Sequence, residues 1–310
     1  MLHIKKILKE IFKILLILLV ITFISFSLMY IAPSDPAEMK LTSGGGIINS
    51  ELLQETRIEM GLDKPFIIQY INWLSNVLKG DLGISYSTGK GVLTEIVHHL
   101  PYTLTLAISA LVITLIISIP LGVLCAVKKD TLIDKIIKSL TFVGNSMPSF
   151  FIALILLLVF ALKLKLLPIL SESGIKSLIL PSVTLAISMS SKYIRQIRTI
   201  VIEELEKDYV IGAISRGMKE KDILFIEVLK NTMVNIVTLV GLSFGSLMGG
   251  TAVIESIFVL PGLGTMALSA ISNRDYSIIQ GYVLFMAIIF VTINYITNIL
   301  YKKIDPRIGR

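Results

Sequence analysis

Long runs without a charged residue alternate along this chain with shorter charged segments. Six such runs cover residues 14–32, 100–127, 139–162, 177–191, 231–254 and 276–301. Most of them reach the roughly 20 residues that an α-helix needs to cross the hydrocarbon core of a bilayer. A segment in lipid must satisfy its backbone N–H and C=O groups internally, as a helix does. The pattern therefore predicts an all-α integral membrane protein with six transmembrane helices.

Two of the runs are less regular than the others. The first follows a lysine-rich start and resembles a signal peptide, but its apolar region exceeds the roughly 7–15 residues typical there. No small-residue cleavage site follows it, so we interpret it as a retained helix. The fourth run is uncharged for only 15 residues and continues past Lys192 to Arg195. Those long basic side chains can extend toward the interface and complete the span.

Basic residues are distributed unevenly between the segments that connect the runs. Of the 29 Lys and Arg residues, 20 fall on the side that holds both termini and 9 on the other. Because basic residues accumulate on the cytoplasmic side of membrane proteins, we predict that both termini are cytoplasmic. The net charge of +7 then follows from topology and does not indicate a nucleic-acid partner. Membrane lipid is the expected surrounding.

Two connections are too long to be simple turns. Residues 33–99 fall outside and are expected to form an extracytoplasmic lobe after the cytoplasmic N-terminus and first helix, residues 1–32. Residues 192–230 fall inside and carry 8 basic and 7 acidic residues among apolar positions. That pattern predicts short amphipathic helices within a core that extends over residues 100–310.

The outer lobe is predicted to contain two helices. Ser50 can cap a helix that ends near Gly61. A second helix is predicted from Pro65 onward, and its apolar positions form one stripe. The stripe consists of Ile67, Tyr70, Ile71, Leu74, Val77 and Leu78.

Several kinds of chemistry are excluded by what the chain lacks. ATP hydrolysis needs a glycine-rich loop followed by Lys and Ser or Thr, and the nearest segment, residues 88–91, lacks the upstream glycine and the hydroxyl residue. Cys125 is the only cysteine, and the adjacent His98 and His99 would point about 100° apart on a helix. We therefore identify no metal site and expect no cofactor and no catalytic residue in this chain.

Two other classes of membrane protein need side chains that these runs lack. An intramembrane protease needs paired aspartates, a Ser/His pair or a zinc site at helical spacing, and the runs contain neither histidine nor paired aspartates. A secondary transporter would need charged relays inside its helices, whereas the cores of these runs are uncharged. Both classes are alternatives that the residues of these runs disfavour.

Residues 208–217 carry the most specific local pattern. Ala213 and Gly217 are small residues four positions apart, so on one helix they would share a face that another surface can approach closely. The alternative is a helix that simply ends at Gly217, because glycine readily adopts the left-handed conformation found after a helix C-terminus.

This segment resembles the coupling loop of permeases in binding-protein-dependent ABC importers. The general pattern of those loops agrees only at Ala213, Gly217 and Leu229. The branch that imports oligopeptides, dipeptides and nickel agrees better, at Tyr209-Val210, Ala213, Gly217 and Leu229-Lys230-Asn231. Further segments that resemble this branch occur along the whole chain, at residues 61–65, 69–70, 80–85, 101–104, 146–150, 180–181, 255–258, 261–264, 273–276 and 305–307.

The resemblance implies the permease fold of a type I ABC importer and, of the two permeases in such importers, the B-type. The implied partners are a second permease, two cytoplasmic ATPase subunits on which ATP acts, and an extracytoplasmic substrate-binding protein. The chain would lie in the cytoplasmic membrane of a prokaryote. The resemblance favours nickel, carried as a complex, over di- and oligopeptides as the substrate. The implied ATPase-coupling residues are Tyr209, Ala213, Arg216, Gly217, Leu229 and Asn231.

Polar residues within the predicted helices either hydrogen-bond to neighbouring helices or face the pore. A carboxylate deep in lipid costs about 2.5–3.5 kcal/mol on insertion scales, so Glu255 is expected near the outer mouth or facing the protein interior. Its role is either a structural hydrogen-bond partner or a part of the substrate path. The candidates for the pathway or gate are Asn145, Ser146, Met147 and Glu255.

Overall fold

The computed structural model describes residues 2–32, 35–43, 49–168 and 176–304. In this part of the chain every regular element is a helix, apart from one isolated bridge between Ile84 and Gly91. The all-α class is therefore confirmed, while the motif at residues 305–307 lies outside the described residues. The helices are α1 (Leu2–Ile31), α2 (Pro36–Ser43), α3 (Ser50–Glu59), α4 (Phe66–Leu78), α5 (Val92–Val127), α6 (Leu132–Ser146), α7 (Ser149–Leu156, continued by a π-helical segment Leu157–Lys163), α8 (Lys176–Leu205), α9 (Asp208–Ser215), α10 (Glu220–Asp222, continued by a π-helical segment Ile223–Val228), α11 (Leu229–Gly250), α12 (Ala252–Ile257), α13 (Leu263–Ser272) and α14 (Tyr276–Ile304).

Packing divides the chain into two compact units. The first comprises Met1–Tyr102 and Pro261–Val291, and the second comprises Thr103–Leu260 and Thr292–Arg310. Helices α5 and α14 contribute residues to both units. These units are defined by contacts within the structure. The boundaries expected from the sequence, after residues 32 and 99, instead divide the chain according to the side of the membrane.

In the first unit, α1 packs against α4 through aromatic side chains. The ring of Tyr70 is buried in this contact, and its hydroxyl lies 3.0 Å from Oγ1 of Thr22 and 3.3 Å from the carbonyl oxygen of Leu19. The ring centroids of the contacting pairs are 5.0–5.9 Å apart and involve Phe23, Phe26 and Tyr30 of α1 with Phe66, Tyr70 and Trp73 of α4.

Both helices predicted before residue 80 are present, with one correction. The N-cap of α3 is Asn49 and not Ser50, because Asn49 has extended backbone angles and its side chain accepts a hydrogen bond from the N–H of Glu51 at 3.3 Å. Ser50 is already helical. The helix terminates just before Gly61, whose φ is +67°, and α4 begins at Phe66 after Pro65.

A buried carboxylate of the first unit joins two segments that are distant in sequence. Asp275, at the start of α14, accepts hydrogen bonds from Oγ of Ser85 at 2.6 Å and from Oγ and N–H of Ser87 at 3.0 and 3.1 Å. Its other oxygen accepts from the N–H of Ile278 at 3.3 Å. The loop before α5 is thereby held at the N-terminus of α14.

The third apolar run, residues 139–162, is not one straight helix. The run is divided between α6 and α7, which meet at an angle of 101°. Met147 has extended backbone angles (φ −87°, ψ 130°) because the following Pro148 disfavours the helical conformation of the residue before it.

Among the described helices, fewer than six are both long enough and apolar enough to cross a membrane. Four described helices are long and apolar enough to cross a membrane, or five if the bent pair α6–α7 counts as one span. The four segments are Leu8–Ile31, Val92–Val127, Glu220–Gly250 and Tyr276–Leu300. Helix α8, the fourth predicted span, has 30 residues but is not among them, because charged side chains occupy its C-terminal half. Six spans and the cytoplasmic termini stay predictions.

The second unit contains a buried ion pair between α6 and α8. Asp134 is fully buried and accepts two hydrogen bonds from the guanidinium of Arg198, at 2.8 and 2.9 Å. Nζ of Lys138 lies 3.0 Å from Oδ2 of Asp134. The two helices also approach closely at Gly144, where a Cβ atom would overlap with Oγ of Ser191.

We predict that replacing Arg198 with Ala destabilises the protein. Removing one partner of a buried ion pair typically costs about 3–5 kcal/mol because a buried charge is left without its counter-charge, and the remaining contact with Lys138 places the expected cost at the lower end. The measurement is the thermal unfolding midpoint of the detergent-solubilised importer.

The matched control is Arg195→Ala, which removes an exposed basic residue of the same helix and should leave the midpoint unchanged. The double variant Asp134→Asn/Arg198→Gln removes both charges and should recover part of the loss. If this double variant were less stable than Arg198→Ala, the pair would not act as described.

Candidate functional site

The short helix α9 contains most of the residues that the sequence singled out. It follows Lys207, which has extended backbone angles, and Asp208 occupies its first turn, where a negative charge favours a helix N-terminus. At its end the N–H of Gly217 donates to the carbonyl oxygen of Ile214 at 2.9 Å, and the N–H of Met218 donates to that of Ala213 at 3.2 Å. These two bonds form a Schellman motif.

Gly217 is the left-handed residue of that motif, with φ +77°. A Cβ atom built there would meet no heavy atom within 4 Å. The glycine is therefore required by its backbone conformation and not by a close neighbour within this chain. The structure agrees with the simpler interpretation of the sequence, in which the helix ends at Gly217.

Ala213 faces the interior, so it does not share an open face with Gly217. Val210 and Ala213 are buried in one hydrophobic cluster with Ile197 and Val201 of α8 and Val228 before α11. The expectation that Ala213 and Gly217 together admit another surface is wrong, because Ala213 is already covered by its own unit.

The opposite side of α9 is apolar and open. Ile211 and Ile214 are 57% and 59% exposed, and Arg216 and Gly217 beside them are also exposed. Exposed isoleucines on a helix anchored by its other face form a surface suited to contact with another protein.

A buried carboxylate connects the start of α9 to the end of α8. Glu204 accepts hydrogen bonds from the hydroxyl of Tyr209 at 2.9 Å and from Nζ of Lys207 at 2.7 Å. Partial burial raises the pKa of Tyr209 to about 12, with a contribution from Glu204 and an opposing one from the side chain of Asn231. The Tyr209 hydroxyl therefore stays protonated near neutral pH and remains a donor to Glu204.

Sequence reasoning did not identify Glu204, which is one of seven acidic residues in its segment. Only the contact with Tyr209 distinguishes it. Of the remaining predicted coupling residues, Asn231 faces the Tyr209 hydroxyl, and Leu229 is half-buried at the start of α11.

The candidates for the pathway occupy two different environments in the second unit. Asn145 and Ser146 are exposed at the end of α6, and Met147 is the half-buried residue at the bend. Glu255, in α12, is fully buried and accepts hydrogen bonds from Oγ1 of Thr103 at 2.7 Å and from Oγ1 of Thr251 at 2.9 Å.

The two adjacent histidines contact each other and one carboxylate, since Nδ1 of His99 lies 3.7 Å from Oε2 of Glu95. Nδ1 of His99 lies 2.7 Å from the carbonyl oxygen of Glu95, and the two rings are in edge-to-face contact. Within the described ranges, no group of three or more His, Cys, Asp or Glu side chains is arranged to hold a metal ion.

Two family patterns match this chain. The pattern described as "Binding-protein-dependent transport system inner membrane component" matches residues 118–310, and the one for the N-terminal part of such membrane components matches residues 2–107. The chain belongs to this family.

The relatives of this chain are named for two different substrates, peptides and nickel. A putative peptide transport system permease protein of Brucella abortus (strain 2308) is 36% identical over 310 residues, which cover 97% of this chain and 98% of the relative. A nickel import system permease protein of Staphylococcus aureus (strain MRSA252) is 35% identical over 305 residues, which cover 98% and 92%. A chain of the inward-facing MetNI methionine ABC transporter shares the fold over 68% of this chain and 97% of its own length, with a TM-score of 0.58 and 13% identity.

The chain is therefore the membrane permease component of an ABC importer, and it lies as a multi-pass protein in the inner membrane of a prokaryote. It is not itself an enzyme. Transport depends on separate ATPase subunits and on a substrate-binding protein.

We predict a graded response to substitution of Gly217. Left-handed backbone costs a residue with a Cβ roughly 1–2 kcal/mol, and Asn tolerates it better than Ala. Substrate uptake by cells should therefore fall slightly for Gly217→Asn and more for Gly217→Ala. It should be lost for Gly217→Trp, because the bulky ring would also block a partner from approaching the exposed surface at this position. Immunoblots of the membrane fraction should show normal amounts of all three proteins.

Gly212→Ala is the matched control, because Gly212 lies inside α9 with an ordinary helical conformation. Its uptake should equal that of the unmodified chain. Normal uptake with Trp at position 217 would contradict the importance of this helix end.

We predict that Glu255 acts through its hydrogen bonds and not through its charge. Glu255→Gln keeps an acceptor for the hydroxyls of Thr103 and Thr251, so uptake should stay within about twofold of normal. Glu255→Ala removes that acceptor, and a buried polar group without its partner costs about 1–3 kcal/mol. The unfolding midpoint of the solubilised importer should therefore fall for Ala and not for Gln. Loss of uptake in a Glu255→Gln protein of normal stability would instead indicate a charge-dependent gate.

Proposed function

We propose that this chain is the B-type permease of an importer with two different permease chains, and that its termini and α9 are cytoplasmic. The observation that carries the proposal is the two-sided surface of α9. Val210 and Ala213 bind it to the second unit, while Ile211 and Ile214 are open. A short helix with an exposed apolar face suits a groove on a partner protein. We assign that groove to the ATPase subunit.

The contacts of α9 with α8 and α11 would allow a movement of α9 to be transmitted to these helices. Glu204 connects it to α8, and the cluster around Val210 and Ala213 also includes Ile236 of α11. Closure of the ATPase subunits around ATP would displace α9 together with these two helices. The result would be a switch between inward-open and outward-open states, biased by ATP. ATP acts on the partner subunits in this proposal, and the permease chain binds no cofactor.

For the substrate path we assign Asn145, Ser146 and Met147. Their support is the sharp bend between α6 and α7, at which two exposed polar residues precede the half-buried Met147 in the chain. We assign Glu255 a structural role beside the path, because its carboxylate is already hydrogen-bonded to two threonines.

The substrate that we propose is nickel, carried as a complex. Its support is the similarity to the Staphylococcus aureus nickel permease along 98% of the chain, together with the resemblance that favours nickel within the oligopeptide, dipeptide and nickel branch. Specificity in such an importer is expected to be set mainly by the binding protein.

Di- and oligopeptides are the second candidate. The Brucella abortus relative named as a peptide permease is as similar, at 36% identity over 97% of the chain. The two candidates differ in what competes for uptake.

The deciding experiment deletes the gene in its host and follows uptake of radioactive nickel, with and without an excess of di- and oligopeptides. Nickel import predicts that uptake collapses on deletion and that peptides do not compete. Re-expression of the unmodified chain should restore uptake, and re-expression of Gly217→Trp should not. Unchanged nickel uptake with loss of peptide-dependent growth would identify a peptide permease instead.

A further inference from the structure

Helix α4 has an apolar face that the rest of the first unit leaves open. Its aromatic residues point to α1, as described above. Ile67, Ile71 and Leu78 lie on a different face at helical spacing and are 52%, 56% and 81% exposed. This stripe needs an apolar surrounding.

The face of α4 opposite the stripe is polar. Gln69, Asn72 and Asn76 lie there and line a cleft with a volume of about 1170 Å³, whose wall also includes Asp35 and Arg57. The side-chain amide of Gln69 donates to two backbone carbonyl oxygens of the preceding loop, at 2.7 and 3.1 Å. Helix α4 therefore separates a polar cleft from the surrounding of its apolar stripe.

Contacts with α1 determine the depth of α4 in the membrane. Lys13 is the last charged residue of α1, and the uncharged run covers residues 14–32. At 1.5 Å per residue, this run matches the roughly 30 Å hydrocarbon core. Phe26 contacts all three aromatic residues of α4, with centroid distances of 5.5–5.9 Å. Phe26 lies roughly 9 Å before the end of the run, which is the level of the acyl chains.

The hydroxyl of Tyr70 reaches deeper still. It contacts Thr22 and Leu19, which lie roughly 15–20 Å before the end of the run. Helix α4 thus crosses α1 inside the hydrocarbon layer and not above the lipid headgroups.

We propose that α4 is embedded in the leaflet opposite Lys13, with Ile67, Ile71 and Leu78 against lipid acyl chains. The helix forms a wall between lipid on one side and the polar cleft on the other. This position differs from the extracytoplasmic lobe expected for residues 33–99. The proposal depends on α1 crossing the membrane and is independent of the substrate.

Lipid is a better occupant for this face than a second protein chain. The stripe is purely aliphatic and offers no hydrogen-bond donor or acceptor to a protein partner. Helix α1, to which α4 is attached, is also open, since only 6% of the residues in its most apolar 18-residue stretch are buried. Two adjoining helices that expose aliphatic surface at acyl-chain depth are typical of a lipid-facing boundary.

The first test places a photoreactive benzophenone amino acid at position 71 or 72 of the complete importer in living cells. Ile71 and Asn72 are neighbours in sequence but lie on the lipid face and the cleft face, so they form a matched pair. After irradiation, mass spectrometry of the peptide should detect phospholipid adducts at position 71, at least fivefold more than at position 72. Cross-linking of position 71 to another protein chain would overturn the proposal.

The second test compares thiol reactivity in a Cys125→Ala background, which removes the single cysteine of the chain. A membrane-impermeant maleimide should label Asn72→Cys at least tenfold faster than Ile71→Cys, because a thiol among acyl chains is not ionised. Lys79→Cys, at the exposed C-terminus of α4, serves as the water-exposed reference. Labelling of Ile71→Cys as fast as Lys79→Cys would show that the stripe faces water and would also overturn the proposal.

Discussion

Hydrocarbon offers no hydrogen-bond partners, and this constraint governs the architecture of the permease. It requires the spanning segments to satisfy their own backbone groups, which explains why the long apolar segments in the described part of the chain are helical. Burial of apolar surface does not determine where helices contact each other in a membrane, because lipid is as apolar as a protein interior. The helix contacts are instead determined by a few polar interactions and by sites where two helices approach closely.

Those polar contacts join segments that are far apart in sequence. Asp134 binds Arg198 between α6 and α8, Glu255 binds Thr103 between α12 and α5, and Asp275 binds Ser85 at the start of α14. Each carboxylate is buried and would be costly without its partners. Four of the segments that resemble ABC importers supply residues to such contacts: 80–85, 101–104, 255–258 and 273–276.

The short helix α9 lies outside the apolar runs and is likewise attached by contacts with residues distant in sequence. One face is held by a hydrophobic cluster and by Glu204, its end is closed by Gly217, and the other face is open. This separation allows a partner to grip the helix without disturbing its attachment. In α4, a comparable separation places aromatic, polar and aliphatic faces toward α1, the cleft and, in our proposal, lipid.

The amino-acid sequence by itself determined the helical class, the main apolar spans, the start of α4 after Pro65 and the end of α9 at Gly217. These features depend on local properties: apolar length, backbone hydrogen bonding, and the φ restrictions of proline and glycine. The cap of α3 by Asn49 and the bend at Met147 are also local effects, of the Asn49 side chain and of Pro148, although the sequence analysis did not predict them. Only the tertiary structure decided that Ala213 faces inward and that Glu204 and Asp134 are the important carboxylates. Asp134 and Arg198 are 64 residues apart, and no local pattern distinguishes either from other charged residues. Their importance arises because folding removes water from around them and leaves each as the other's main source of compensation.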